Sequence, residues 1–313
     1  MAGRQRTAIT VTTKSFRAEG LVVADRLFEP KAGGKMLSLK YNRDGQTYDT
    51  LRLQTPEVTI GQVWDNQNQA KTELTGWTLA VNCSRLRPAD MENEYDPSSE
   101  DAVKTGQRAL VDVLEAIDSK VIDQIASQGM LKGKGGKSLT KEEVETKFTQ
   151  TVHWPSNPDY TLGIRGKINC RDVSWEERKV YICDQDGNDI SYWKMNAENQ
   201  RVYVHDSAFA SLPGEPVFNI DALRGRSRVL RAVLESNNAW IQQSISCSWK
   251  IINIQVEVGE AMSHGRGAWA AEDEVASGHK RRHDGSVASA GAGGASAGRA
   301  AADAEIDELM EDP

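Results

Sequence analysis

Between Leu162 and Arg171 the residue type changes at every step. Leu162, Ile164, Gly166, Ile168 and Cys170 alternate with Arg165, Lys167, Asn169 and Arg171. A strand turns successive side chains to opposite faces, so this segment makes an apolar inner face and a basic outer one. That pattern suits an antiparallel sheet with one wetted side. It excludes an amphipathic helix, whose apolar positions recur every three or four residues.

The same period recurs elsewhere. Met36–Tyr41 sets Leu37, Leu39 and Tyr41 against Lys40. An Asp44-Gly45 turn signal and Thr50–Gln54 follow, with Leu51 and Leu53 inward and Arg52 outward, which predicts a hairpin. Weak alternation marks Thr7–Lys14. Leu74–Cys83 puts Trp77, Leu79 and Val81 on one face. Further strands are expected at Arg178–Cys183, Arg201–His205, Arg228–Glu235 and Ser248–Val258. The first of these segments turns Lys179 and Tyr181 outward against Val180 and Ile182, and the last sets Ile252, Ile254, Val256 and Val258 on one face.

One helix breaks the series. Ser98 or Ser99 is the expected N-cap, with Glu100 and Asp101 in the first turn. Val103, Leu110, Leu114, Ile117, Val121 and Ile125 form one apolar stripe, and Gly129 is the stop. A short helix at Lys141–Phe148 carries a Thr140/Glu143 capping box. Strands, a long helix, then more strands predict a mainly β (α+β) fold, an antiparallel barrel or sandwich with an inserted helix.

The alternation stops near Gly259. Ala288–Gly298 consists only of Ala, Gly and Ser, too little apolar surface to offset the entropy of ordering. The expected organisation is a domain over 1–258 with a helical insertion at about 98–149, a disordered linker over 259–302, and an acidic tail over 303–313. Asp303, Glu305, Asp307, Glu308, Glu311 and Asp312 stand in that tail without a base. They account for most of the net charge of −7, so the body is nearly neutral and leaves room for a local basic face.

Several chemistries find no support. Cys83, Cys170, Cys183 and Cys247 form no CxxC pair and read as buried reduced thiols of an intracellular protein. No apolar run reaches membrane-spanning length, and the N-terminus lacks the apolar core of a secretory signal. Lys132–Ser138 is glycine-rich and basic, but Leu131 replaces the first glycine of a phosphate loop and a helix precedes it, so it reads as a flexible loop. Asp184–Asp189 resembles a calcium loop but has Met195 at its twelfth position, so a β-turn is expected. No metal, no cofactor and no catalytic constellation is expected.

The basic outer face has aromatics near it in sequence: Trp154, Tyr160 and Trp175. Cations follow phosphates and rings stack on unpaired bases, the composition of a single-strand platform. The bland alternative is a solubilising outer face with the rings in the core.

Four segments resemble the single-stranded DNA-binding proteins of large nucleocytoplasmic DNA viruses, relatives of the acid-tailed proteins of T-odd phages. They are Leu51-Arg52-Leu53-Gln54-Thr55-Pro56-Glu57, the helix around Leu114-Glu115-Ala116-Ile117-Asp118, Tyr160–Ile168, and Val229–Val256 with its Ala239-Trp240-Ile241 and Ser248-Trp249-Lys250-Ile251 strands. The resemblance implies an OB-fold with an inserted helix. It also implies cooperative coating of single-stranded DNA in replication, recombination or repair, at the host nucleus or a cytoplasmic viral site. The tail would dock a polymerase, helicase or primase. On that reading Arg52, Arg165, Lys167, Arg171 and Lys179 follow phosphates, and Trp154, Tyr160 and Tyr181 stack on bases. Trp77, Trp240 and Trp249 fill the core. A homodimer stays open, and so do two other readings: a structural virion β-sandwich with an interaction tail, and an oligosaccharide-binding module.

Overall fold

A computed structural model describes residues 7–258, apart from 31–32, 69, 93–100, 134 and 226. The linker, the six tail acids, and Ser98 and Ser99 lie outside the described residues.

Five strands close on themselves: β1 (Val58–Gln67), β2 (Leu74–Asn82), β3 (Gly163–Asn169), β4 (Arg228–Ser236) and β5 (Lys250–Val256). β1–β2 and β2–β3 are antiparallel, and β3–β5 is parallel. β5–β4 and β4–β1 are antiparallel and complete the ring. This is an OB-fold-like five-stranded barrel, which has no open edge of its own.

Its interior is the apolar half of each alternation. Ile60, Leu79, Val81, Ile164, Ile168, Val229, Leu234, Ile251, Ile254 and Val256 are all buried. Each such side chain contributes about 1.5–3 kcal/mol by leaving water. Gly166 belongs to this set because a Cβ there would stand 2.6 Å from Ile251 Cδ1, so the isoleucine packs into the space the glycine leaves. β5 departs from strict alternation. The register with β4 shifts between Val233 and Leu234, and Ile251 rather than Ile252 turns inward beside Ile254 and Val256. A bulge of this kind lets a strand bend around a barrel.

Other strands extend the scaffold. Thr50–Gln54 pairs antiparallel with β4, and Ala8–Thr12 lies parallel to it. The Asp44-Gly45 turn, with φ of 53° and 77°, does form a hairpin. Its return strand is Gln46–Tyr48 rather than Thr50–Gln54, because the chain crosses to β4 after Asp49. A second sheet joins Leu21–Val23, Lys35–Arg43, Asn238–Ile241, Ile245–Cys247 and Phe148–Thr149. A third, of Tyr192–Met195, Arg201–Tyr203 and Val217–Phe218, lies in the chain between β3 and β4. Tyr181–Cys183 adds to β5 in parallel.

Between β2 and β3 the chain makes α1 (Ala102–Ser127) and α2 (Lys141–Lys147). Asp101, expected in the first turn, is instead the N-cap of α1, a correction to the expected Ser98 or Ser99, and accepts the N–H groups of Val103 and Lys104 at 3.1 and 3.0 Å. The expected stripe is buried at Leu110, Leu114, Ile117, Val121 and Ile125, whereas Val103 is half-buried near the helix start. Gln107 and Asp118 share the buried face. The α2 capping box forms between Thr140 and Glu143 as expected.

Candidate nucleic-acid interface

The outer face of β1, β2 and β3 follows from register. Trp64 stands opposite Thr78, and Thr78 opposite Lys167. One step along, Ala80 faces Arg165, and beyond it Asn82 faces Gly163, which pairs with His153. In the other direction Asn66 faces Gly76, which faces Asn169. None of these outward residues is a carboxylate. Thr78 and Ala80 are half-buried between these rows, whereas Gly163 and Gly76 are buried, packed against Asn82 and the Ile168–Asn169 backbone. Arg165 is exposed and its guanidinium lies 5.6 Å from the centre of the Trp64 ring. That is cation–π range, and it presents ring and charge side by side. Among the described residues Arg165 has no carboxylate partner.

The remaining candidates scatter around this face. Arg52 does point outward, but it donates to Glu235 across the sheet at 2.8 Å, which offsets its charge. Arg171 is exposed but leaves the strand: β3 ends at Asn169, whose side chain accepts the Asp172 N–H and starts a 3-10 turn. Cys170 leaves the strand's inner face for the same reason and is half-buried. Lys179 is exposed on the approach to Tyr181–Cys183, which is shorter than the expected strand, and its N–H bonds the Asp172 carbonyl. Tyr181 faces outward as expected, 37% exposed, while Val180 and Ile182 are buried. Trp154 donates from Nε1 to Glu115 of α1 at 3.0 Å, which ties it to the helix. Tyr160 is 65% exposed in the loop before β3.

Of the expected core tryptophans, Trp77 and Trp249 are buried, and Trp77 stacks on Phe218. Trp240 is only half-buried. Ala239 and Ile241 fill the inner positions of its strand, and alternation turns Trp240 outward. Trp64 and His153 were not legible as interface residues. β1 escapes the alternation test because its register with β2 shifts between Ile60 and Val63, around Gly61-Gln62.

Behind the face, α1 is fastened to the barrel by polar contacts. Thr151 donates from both N–H and Oγ1 to Asp118, each at 2.7 Å. Trp249 Nε1 donates to Thr151 Oγ1 at 3.3 Å. Burial pushes the Asp118 carboxyl up to about 6, against the pull of the Thr151 and Cys247 hydrogen bonds. Burial also holds the Cys83 thiol at about 12, a neutral core group. All four cysteines are unpaired; Cys83 is buried and the other three are half-buried, a correction to the expectation that all lie in the core.

Asp184 makes the expected turn, its side chain accepting the N–H groups of Asp186 and Asn188. Among the described residues no group of three His, Cys, Asp or Glu side chains is placed to hold a metal ion. No described helix is long and apolar enough to cross a membrane.

No protein-family model and no curated protein matches this sequence. The chain is an OB-fold-like barrel with an inserted helix. It is a scaffold that serves nucleic-acid binders and non-catalytic structural β proteins alike.

Proposed function

We propose that this chain is a non-catalytic, single-stranded DNA-binding protein that lays the strand across the outer face of β1, β2 and β3. The observation that carries the reading is the row Trp64–Thr78–Lys167 with Arg165 over Trp64, the outward positions of β1–β3 in this register being without carboxylates among the described residues. In OB-folds the β2–β3 face is where oligonucleotides and oligosaccharides lie. A cation beside a half-buried outward ring favours the first of these, since phosphates take the charge and bases take the ring. The viral resemblance gives the wider role: coating of strands in replication, recombination or repair at an intracellular viral site. In that role the acidic tail docks replication partners.

A second reading rests on a different observation. Arg178, Arg201, Arg224 and Arg228 are, like Arg52, engaged with carboxylates, and the net charge is negative. A structural or interaction module, a virion component for example, needs only the barrel and its sheets and makes no use of free cations.

Titration of fluorescent dT oligomers at about 50 and about 200 mM salt separates the two. Single-strand binding loses affinity with a slope of about −0.7 per neutralised phosphate. No binding at the lower salt, or tighter binding to duplex, overturns the proposal in favour of the structural module.

A further inference from the structure

We infer that the binding track continues past β3, across β5, to a second stacking station for an unpaired base, formed by Trp175, Arg178 and Tyr181. This extension rests on the single-strand reading of the barrel face. The register draws the path. Lys167 of β3 stands opposite Lys250 of β5, and Asn253, farther along β5, stands opposite Tyr181. Asn253 and Tyr181 are both exposed, on the outer side of strands whose Ile251, Ile254 and Ile182 point inward. Measured over the surface, Trp64 and Tyr181 are four strand spacings apart, roughly 20 Å. Lys167 and Lys250 occupy the middle of that span.

The station itself is built rather than incidental. The Arg178 guanidinium lies 4.9 Å from the Trp175 ring centre and 5.5 Å from that of Tyr181, in cation–π range of both. Asp189 holds it there at 3.1 Å. Trp175 is backed by Tyr192 and Phe209, with ring centres 5.3 and 5.2 Å away, yet remains 39% exposed. Rings fixed in this way lose little freedom when a base stacks on them. Because the Arg178 charge is already shared with Asp189, the station offers ring faces more than charge, which matches a base rather than a phosphate.

The acids nearby set the direction of the backbone. Glu176 and Glu177 are exposed next to Trp175 and repel phosphates. Asp172 is engaged with Lys250 at 3.5 Å. The phosphates therefore run on the side of Lys179 and Arg171, with the bases turned toward the rings. An aromatic platform could also take a peptide side chain, and a dT series tells the two apart.

The test uses the full chain with dT oligomers of about 3 nucleotides, too short to span roughly 20 Å, and of about 15, near the upper end of what one OB-fold covers. Trp175→Leu and Tyr181→Leu are expected to weaken the longer oligomer about tenfold and to leave the shorter within about twofold, while Arg165→Ala weakens both. Trp175 packs on Tyr192 and Phe209; if its variant fails to fold, Tyr181→Leu alone decides. Unchanged affinity of the Tyr181 variant for the longer oligomer, with Arg165→Ala still impaired, overturns the second station and leaves the barrel reading intact. A peptide platform gives that same result. Absence of dT binding by the wild-type chain overturns both.

Discussion

Two faces of one barrel carry arginines on strands, with opposite electrostatic outcomes. On the outer face of β2 and β3, Arg165 lies over Trp64 with no carboxylate partner among the described residues. On the β4 side, Arg52 is paired with Glu235, and Arg228 is forked between Glu57 and Glu257 at 2.7–2.9 Å. Those contacts hold the Glu57 carboxyl below its ordinary value, chiefly through the Arg228 hydrogen bond. Alternation places an arginine on the outside in both cases. The cross-strand neighbour decides whether its charge is available, since residues directly opposite sit within about 5.5 Å. A basic outward position is thus a candidate contact only where the adjacent strands bring no acid.

Reversing two charges on the outer face of β3, Arg165→Glu with Lys167→Glu, should have the largest effect: about a hundredfold weaker dT binding at low salt, with the salt slope smaller by about 0.7 per lost phosphate contact. The melting temperature should hold, because both side chains point away from the core. If it collapses, the assignment of inner and outer faces is wrong.

Stability against pH isolates the fold from either face. The Asp118 carboxyl is raised to about 6 in the folded chain, above its ordinary value of 3.8. The folded state therefore binds the proton more tightly than the unfolded one. The resulting stabilisation is fully present below about pH 4 and is lost as pH rises through about 6, on the order of 2–3 kcal/mol in all. Denaturant titrations across this range should show that fall for the wild type and not for Asp118→Asn. A matching slope in the variant assigns the effect to other groups.

A Trp64→Leu substitution sharpens the comparison at one residue. It keeps the cations and removes the ring, so dT affinity should drop about tenfold, in the range of one lost stacking contact, with the salt slope unchanged. A change in slope instead would mean that Trp64 acts by positioning Arg165.

The smallest effect belongs to the paired face. Arg52→Ala should leave dT affinity within about twofold and stability within about 1 kcal/mol, as for other half-exposed ion pairs. A tenfold loss of affinity would erase the distinction between the two faces.

Much of this was written locally. Alternation at Leu162–Ile168, Leu51–Leu53 and Trp77–Val81 assigned inner and outer faces that the structure reproduces, because strand geometry leaves a side chain only two directions. The α1 stripe and the Thr140 capping box were legible for the same reason: their partners lie within a turn or two of the helix. Partnerships between distant segments were not. That Glu235 neutralises Arg52, that Trp64 lies under Arg165, and that Lys250 comes beside Lys167 depend on strands far apart in the chain. The shifts that hide β1 and rephase β5 arise from closing five strands into a ring. The sequence by itself determined which way side chains face in the regular strands and along the helix stripe, since that is set by backbone period and the cost of exposing apolar surface. Which charges remain available was decided only by the tertiary structure, because a Coulomb partner is chosen by proximity in space and not by distance along the chain.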